Sequence, residues 1–337
     1  MRMIIVGFGT VGQNLARILQ SKENQLLREF GFHPRVVAVV DRGGGMIDPK
    51  GLDLNRALTV KRTGGSVAQD PELGRPKVHA KEVIEGVEAE AVLELTPTNI
   101  ADGEPGLSHI KVALRSGKHV ITTNKAPLAI AMPSLMEMAS YNKVLLRFSG
   151  TVGGGTPILD LAKKCFNGNK IESLRGILNG TTNYILTRMV ESSTSMDSAL
   201  KEAQALGCAE ADPSYDIDGV DTACKLVILA NWVMGRESSI KDAEIRGIRE
   251  VTLEDVEDAR RKGSQVKLIG SIGDEMRVQP ELVSQSHALC VGGTLNAVSF
   301  KTELMDEVTI VGKGAGGVET ASAVLRDIVD VRRNLAR

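Results

Sequence analysis

Several features that would assign the chain to a specialised class are missing from its 337 residues. The four cysteines, Cys165, Cys208, Cys224 and Cys290, form no CxxC pair, which argues against a zinc site and a disulfide framework. The chain does not open on a secretory signal, and no run reaches the roughly 18 consecutive apolar residues of a membrane helix. A net charge of -1 offers no basic surface to a nucleic acid or membrane. We therefore expect a cytoplasmic protein with a small neutral or zwitterionic partner.

What the chain does contain is the composition of an ordinary globular protein, with 42% hydrophobic and 25% charged residues. Its length suits two domains of usual size, each with its own core. Strand and helix patterns alternate through residues 1–145, which predicts an α/β domain with a parallel sheet and right-handed crossovers. Residues 146–316 predict a second, α+β domain with a mixed sheet. A final helix at about 317–335 is expected to return to the first domain.

A glycine-rich motif follows the first predicted strand directly. The strand RMIIV is followed by Gly7-Phe8-Gly9-Thr10-Val11-Gly12 and then by a helical pattern that we extend to Phe30. Strand, GxGxxG and helix in this order are typical of a Rossmann dinucleotide site. The first glycine allows the turn, the second lets backbone N–H groups approach a pyrophosphate, and the third lets the helix pack closely on the strand.

The second predicted strand, RVVAVVD, ends at the pair Asp41-Arg42. In Rossmann folds an acid at this place binds a ribose hydroxyl, whereas an arginine accepts a 2′-phosphate. Arg42, with Lys61 or Arg62 nearby in the chain, favours NADP, and NAD stays possible. The alternative is that Asp41 and Arg42 only cap a surface turn.

Two further strands are predicted at residues 89–97 and 118–124. Ligands bind beyond the carboxyl ends of parallel strands, so Thr96 and Lys125 are expected at the cofactor cleft. Lys125 is equally compatible with an ordinary lysine at the start of a helix.

The second half combines two glycine-rich segments with several short strands. Three consecutive glycines, 153–155, follow the predicted strand 143–150 and imply a backbone that closely approaches a ligand or another segment. Asn179-Gly180-Thr181 opens a helix after the strand 171–178. Beyond MRVQPELVS we read a polar stretch, then the strand EVTIVGKG.

An acidic stretch with one lysine, GCAEADPSYDIDGVDTACKL, spans residues 207–226. Asp221 and Lys225 are four residues apart, so they share one face of the predicted helix. Lys225 is followed by apolar residues, and a lysine there needs carboxylate partners, of which Glu210, Asp212, Asp216 and Asp221 are the candidates. The alternative is an ion pair on the helix surface, with the other acids solvated.

Taken in order, GFGTVG, TTNKAPLA, GTVGGGTP, NGTTNYIL, GCAEADPSYDIDGVDTACKL and GKGAGGVETASAV resemble homoserine dehydrogenase along essentially the whole chain. Within that family, we expect the short form that carries this single enzyme activity. The resemblance implies NAD(P)-dependent interconversion of L-homoserine and L-aspartate 4-semialdehyde, in the pathway to threonine, methionine and isoleucine.

Site residues follow from the resemblance by position in these motifs. Lys125 and Lys225 would line the reacting oxygen, and Glu210, Asp216 and Asp221 would hold the substrate or position Lys225, beside the turn formed by Asn179, Gly180 and Thr181. Desolvated lysine can transfer the proton that accompanies hydride transfer. The residues expected near the cofactor are Gly7, Phe8, Gly9, Thr10, Val11, Gly12, Asp41, Arg42, Lys61, Thr96, Lys125 and Gly317.

The resemblance also implies a monovalent cation, usually sodium, and a homodimer formed through the mixed sheet. Val152, Gly154 and Thr156 would supply backbone carbonyls, and Ser149 stands where the family usually has a glutamate.

Two alternative functions stay open. Aspartate-semialdehyde dehydrogenase needs a cysteine nucleophile, for which none of the four cysteines has the setting. A non-catalytic NAD(P)-binding sensor would not need Lys225 among carboxylates.

Overall fold

A computed structural model describes residues 1–335 and divides the chain into two compact units. The first joins Met1–Thr151 to the C-terminal helix, and the second is Val152–Gly316. The sequence placed this boundary between residues 145 and 146. It falls later because Leu146–Arg147 adds a strand to the first sheet, and because the backbone N–H and the hydroxyl of Ser149 donate to Asp327 on the C-terminal helix.

The first unit is built on a seven-stranded sheet. Its strands are β1 (Arg2–Val6), β2 (Arg35–Asp41), β3 (Gly44–Ile47), β4 (Gly74–Pro76), β5 (Ala91–Glu94), β6 (His119–Thr122) and β7 (Leu146–Arg147). Their order is β4-β3-β2-β1-β5-β6-β7, in which β3 runs antiparallel to both of its neighbours, β2 and β4, and the other neighbouring strands pair in parallel. From β1 the chain continues to β2 on one side and later to β5 on the other. The crevice beyond the carboxyl end of β1 is therefore the switch point at which such sheets bind ligands.

Helices flank this sheet, as the alternating pattern predicted. They are α1 (Thr10–Ser21), α2 (Glu23–Phe30), α3 (Leu54–Gly64), α4 (Ala80–Gly86), α5 (Gly106–Arg115), α6 (Lys125–Tyr141) and α13 (Gly317–Leu335). The prediction of one helix through Phe30 is wrong, because Lys22, at φ -105° and ψ 6°, leaves helical geometry between α1 and α2. Strands β1 and β2 are almost entirely buried, which explains why they read as unbroken apolar runs.

The second unit is built on a six-stranded mixed sheet. Its strands are β8 (Ile171–Ile177), β9 (Ala243–Ile245), β10 (Ser264–Ile272), β11 (Met276–Ser284), β12 (Leu295–Thr302) and β13 (Asp306–Lys313). Its helices are α7 (Ile158–Asp160), α8 (Gly180–Ser192), α9 (Met196–Ala205), α10 (Ser214–Ile217), α11 (Val220–Val233) and α12 (Leu253–Arg261). The order is β13-β12-β8-β10-β11-β9, in which only β9 and β11 pair in parallel.

The prediction of a polar stretch between β11 and β13 is wrong, because it contains β12. Three of its polar residues, Asn296, Ser299 and Thr302, are buried, whereas Lys301 is exposed. Asn296 donates to the carbonyl of Leu178, and the hydroxyls of Ser299 and Thr309 are hydrogen-bonded to each other. Polar composition therefore masked a strand in which polar groups have partners inside the fold.

The two faces of this sheet differ. One packs against α11, where a side chain at Gly270 would meet Thr222 and Leu226. The other carries Arg175, with Ser271 and Ser299 as its cross-strand neighbours, and forms the wall of an open polar groove of about 640 Å³. Across residues 1–335, no helix combines the length and the hydrophobicity that spanning a membrane requires.

Candidate active site

A buried ion pair on α11 is the centre of the acidic stretch. Nζ of Lys225 lies 2.6 Å from Oδ2 of Asp221 and 2.5 Å from the carbonyl oxygen of Leu178. Lys225 is 7% exposed and Asp221 is 5% exposed. The alternative of an ion pair on the helix surface is therefore wrong. A buried ammonium group stays charged only with such partners. Removing one partner of a buried ion pair costs about 3 to 5 kcal/mol of stability.

Asn179 connects this pair to a second carboxylate. Its Nδ2 donates to Oδ1 of Asp216 at 2.6 Å and to Oδ2 of Asp221 at 2.9 Å. Its Oδ1 accepts the backbone N–H of Thr182, so the same side chain caps α8. Asn179, Asp216, Asp221 and Lys225 thus form one hydrogen-bonded cluster, held between the start of α8 and the start of α11.

Other residues predicted for this site are less closely joined to the cluster. The side chain of Glu210 is exposed and contacts no charged or polar group of residues 1–335, although its backbone carbonyl accepts a hydrogen bond from Gln204. Asp212 bonds only to Ser214. Thr181 donates to the carbonyl of Cys208, which ties α8 to the acidic loop. Of the four candidate carboxylates, Asp221 binds Lys225 directly and Asp216 joins it through Asn179.

The glycine loop of the first unit has the geometry of its motif. A Cβ at Gly7, whose φ is +100°, would lie 2.5 Å from the carbonyl of Leu95, and one at Gly12 would lie 2.4 Å from the carbonyl of Gly7. A Cβ at Gly9 would meet nothing within 4 Å, so this position faces open space at the start of α1. The loop therefore presents a bare backbone at a helix N-terminus, which suits a pyrophosphate. Gly317 packs against Thr10 and Asn14 of α1.

The carboxylate of Asp41 is occupied by groups of its own chain. It accepts hydrogen bonds from Lys61 at 2.8 Å, from the hydroxyl of Ser66 and from the backbone N–H groups of Gly43 and Val67. Burial would raise the pKa of Asp41, but these bonds outweigh it and keep the pKa below its usual value. Arg42, in contrast, is exposed.

Thr96 and Lys125 follow the ends of neighbouring strands, β5 and β6. Thr96 is half-buried, and its backbone N–H donates to Oε1 of Glu94 at 3.2 Å. Lys125 is half-buried and is the first residue of α6, which explains why its position alone did not separate a catalytic from a helix-start lysine.

The three glycines of the second unit approach another segment of the chain. A Cβ at Gly154 would lie 2.7 Å from the carbonyl of Gly314, and the hydroxyl of Thr156 donates to the carbonyl of Lys313. The triple glycine was predicted to approach either a ligand or another segment. The contact with residues 313–314 shows that it approaches another segment, the second glycine-rich one.

The predicted cation ligands do not form a complete donor set. The hydroxyl of Ser149 donates to Asp327 at 2.6 Å, and the carbonyl of Thr156 accepts the N–H of Ile158. Residues 149–156 include no carboxylate. These residues alone do not fit the cation that the resemblance implies.

The structure adds functional groups that sequence reasoning missed. The carbonyl of Leu178 binds both Lys225 and Asn296, and a backbone group leaves no signal in a sequence. Glu94 is fully buried beneath Thr96. Its signal was available, since a glutamate inside the apolar run AVLEL is unusual for a buried strand.

Comparison with known proteins agrees with this geometry. Residues 157–329 match the family model "Homoserine dehydrogenase", and residues 1–139 match the model "Glutamate/Leucine/Phenylalanine/Valine dehydrogenase". A homoserine dehydrogenase of Methanocaldococcus jannaschii is 46% identical over 98% of this chain and 98% of its own. An NAD(+)-dependent homoserine dehydrogenase of Pseudomonas canavaninivorans is 38% identical over 100% of this chain and 97% of its own.

Solved structures give the same result. A hyperthermophilic archaeal homoserine dehydrogenase in complex with NADPH superposes with a TM-score of 0.86 at 32% identity, covering 99% of this chain and 98% of the other. The similarity therefore extends over both the Rossmann unit and the mixed-sheet unit. The chain belongs to the homoserine dehydrogenase family, the NAD(P)-dependent oxidoreductases that interconvert L-homoserine and L-aspartate 4-semialdehyde.

Proposed function

We propose that Lys225 donates the proton when this enzyme reduces aspartate semialdehyde. The single observation that carries the proposal is the setting of its buried Nζ. Two acceptors, Asp221 and the carbonyl of Leu178, contact Nζ within residues 1–335. An ammonium group has three N–H donors, so one remains for a substrate oxygen.

Hydride moves from C4 of the reduced nicotinamide to the carbonyl carbon, the aldehyde is reduced to an alcohol, and the cofactor is oxidised. The carbonyl oxygen takes a proton from Nζ of Lys225. Lys125 assists by stabilising the developing negative charge on that oxygen. In the reverse direction, neutral Lys225 accepts the hydroxyl proton of homoserine.

The same cluster suits the amino group of the substrate. Asp216 is half-buried, and its Oδ1 accepts from Asn179 while its Oδ2 contacts no donor within residues 1–335. A carboxylate with one bonded and one open oxygen can bind an ammonium group without losing its own orientation. We assign Asp216 this role, with Asn179, Gly180 and Thr181 shaping the pocket and Glu210 at its rim.

The direct test is turnover of homoserine with NADP, and separately with NAD, followed by the absorbance of the reduced nicotinamide. Turnover is expected. No turnover with either cofactor would favour a non-catalytic NAD(P)-binding sensor. The assignment of the proton donor is abandoned if Lys225→Ala keeps near-normal kcat while Lys125→Ala loses activity.

We propose that the cofactor is NADP, with NAD as a weaker alternative. An NAD enzyme needs an acid with free oxygens for the ribose hydroxyls, and four donors of the chain already occupy Asp41. Arg42 is exposed beside it and carries the charge that a 2′-phosphate needs. Phe8, Thr10, Val11, Lys61, Thr96 and Gly317 are assigned to the cofactor with the glycine loop.

We also propose a homodimer formed through the open face of the mixed sheet. The polar groove along Arg175, Ser271 and Ser299 supports this dimer. These side chains lie side by side on one face of the sheet, and in a two-fold dimer the same face of each subunit contacts the other. Sedimentation velocity at micromolar concentration tests it, and a single monomeric species would contradict it. The cytoplasmic location stays a prediction, and the monovalent cation stays one that the predicted ligands alone do not support.

A further inference from the structure

A buried polar cluster lies beneath Thr96 and the start of α6, outside the glycine loop. Its centre is Glu94, the last residue of β5, whose side chain is fully buried. Oε1 accepts the backbone N–H and the hydroxyl of Thr96, and Oε2 accepts the hydroxyl of Thr122 at 3.1 Å. Nδ1 of His109, on α5, lies 3.6 Å from Oε1.

A carboxylate in this position is costly, because burial removes its water and most of its partners are neutral. The cluster also contains two buried side-chain atoms without a hydrogen-bond partner, Nδ1 of His109 and Oδ1 of Asn124. The separation of 3.6 Å allows attraction between His109 and Glu94 but is too long for a hydrogen bond. Costly and incompletely paired groups of this kind concentrate at functional sites.

The hydrogen bonds lead from Glu94 towards both residues that are expected at the cofactor cleft beyond β5 and β6, Thr96 and Lys125. Thr96 is bound directly. In the other direction, the hydroxyl of Thr122 donates to Glu94 and accepts the backbone N–H of Asn124, which immediately precedes Lys125. The side chain of Asn124 does not cap α6 but donates to the carbonyl of Pro97 at 3.3 Å, joining the segments that follow β5 and β6.

We propose that Glu94, supported by His109, is a positioning residue for hydride and proton transfer. It holds Thr96 through direct bonds and the start of α6, and so Lys125, through Thr122 and Asn124. The proposal rests on the function proposed above for Lys125 and Thr96. Glu94 itself touches neither substrate nor cofactor in this scheme.

The experiment compares Glu94→Ala and Thr122→Val with the conservative Thr122→Ser, which keeps the hydroxyl. We expect the first two to lower kcat about 10- to 100-fold, because a small misplacement of reacting groups has effects of that size. The dissociation constant for NADPH, from fluorescence without turnover, should change little. The isotope effect on kcat with 4-deuterated NADPH should rise, because hydride transfer becomes rate-limiting. Thr122→Ser should restore kcat.

Asp70→Asn is the matched control, because Asp70 is another buried carboxylate of the first unit and pairs with Arg56. It should lower stability with no change in the isotope effect. The proposal is overturned if Thr122→Val keeps kcat, or if its isotope effect stays at the wild-type value while kcat falls. If Lys125→Ala keeps kcat, the function proposed for Lys125 fails. If Lys125→Ala loses activity while Thr122→Val does not, only the positioning role of Glu94 fails.

Discussion

Oδ2 of Asp221 lies 2.6 Å from Nζ of Lys225, one helical turn further along α11, and both side chains are buried. The pair has the spacing of a common surface ion pair, which contributes only about 0.5 kcal/mol or less. Because the pair is buried, its energetics differ from those of a surface pair. The free energy of removing two charges from water exceeds the stabilisation that a surface ion pair contributes. The buried pair holds Nζ of Lys225 in one orientation, as proton transfer to a substrate requires.

The first prediction concerns Lys225 itself. Lys225→Met should lower kcat by about 10² to 10⁴, the usual contribution of proton transfer by a positioned side chain. It should also lower the free energy of unfolding by about 3 to 5 kcal/mol, because the Asp221 carboxylate is left buried without its cation.

The double variant Lys225→Met with Asp221→Asn separates these two effects. It removes the negative charge that Lys225 balanced, so urea unfolding should show stability largely recovered, while steady-state kinetics should show no recovery of kcat. Recovery of both would mean that Lys225 acts only on folding.

The second prediction concerns the choice of cofactor. Arg42→Ala should raise KM for NADP by about 10- to 100-fold, the equivalent of one lost charge-assisted hydrogen bond of about 1.5 to 3 kcal/mol. KM for NAD should stay nearly constant, because NAD has no 2′-phosphate. Arg115→Ala, at the exposed end of α5 and assigned no role at the cofactor, is the matched control. Equal effects on both cofactors would contradict the role of Arg42.

The third prediction separates the two tasks of Asn179. Asn179→Ala removes the cap of α8 and the bridge between Asp216 and Asp221. We expect a loss of about 1 kcal/mol of stability from the cap, and a raised KM for homoserine because Asp216 loses its orientation. Ser195→Ala removes the cap of α9 in the same way. Ser195→Ala should lower stability by a similar amount and leave KM for homoserine unchanged. An unchanged KM in Asn179→Ala as well would show that the bridge to Asp216 does not contribute to homoserine binding.

The fourth prediction is a pH dependence of stability. Lys267 is 1% exposed and bonds only to neutral oxygens of Asn183, Thr187 and Val291. Burial lowers the pKa of Lys267 from 10.5 to about 8. Between these values the unfolded chain binds the proton more strongly, so stability should rise with pH across this window.

The measurement is urea unfolding at several pH values from 7.5 to 10.5, for wild type and Lys267→Met. The free energy of unfolding of wild type relative to the variant should increase by up to about 3 kcal/mol across this range. The exposed Lys201→Met serves as the control. A constant difference between wild type and Lys267→Met would show that Lys267 does not titrate in this window.

Sequence patterns predicted the parts of the fold that depend on local chemistry. The strand, glycine loop and helix from Arg2 to Ser21 were predictable because they form one continuous motif of strand, GxGxxG and helix, with all of its residues adjacent in the chain. The spacing of Asp221 and Lys225 was readable because four residues bring side chains together on any helix. Strand β12 was not, because its polar residues find their partners only in the fold: Asn296 bonds to the carbonyl of Leu178, far away in sequence, and Ser299 bonds to Thr309 on the adjacent strand.

The sequence by itself therefore determined the two kinds of unit, the dinucleotide loop, the shared helical face of Asp221 and Lys225, and the family resemblance. Only the tertiary structure decided that Asn179 bridges two carboxylates, that Asp41 is saturated by its own chain, and that Glu94 links Thr96 to the start of α6. The physical reason is the same in each case. Helical spacing and turn sterics act between near neighbours in the chain, whereas hydrogen bonds and burial depend on groups that folding brings together from distant positions.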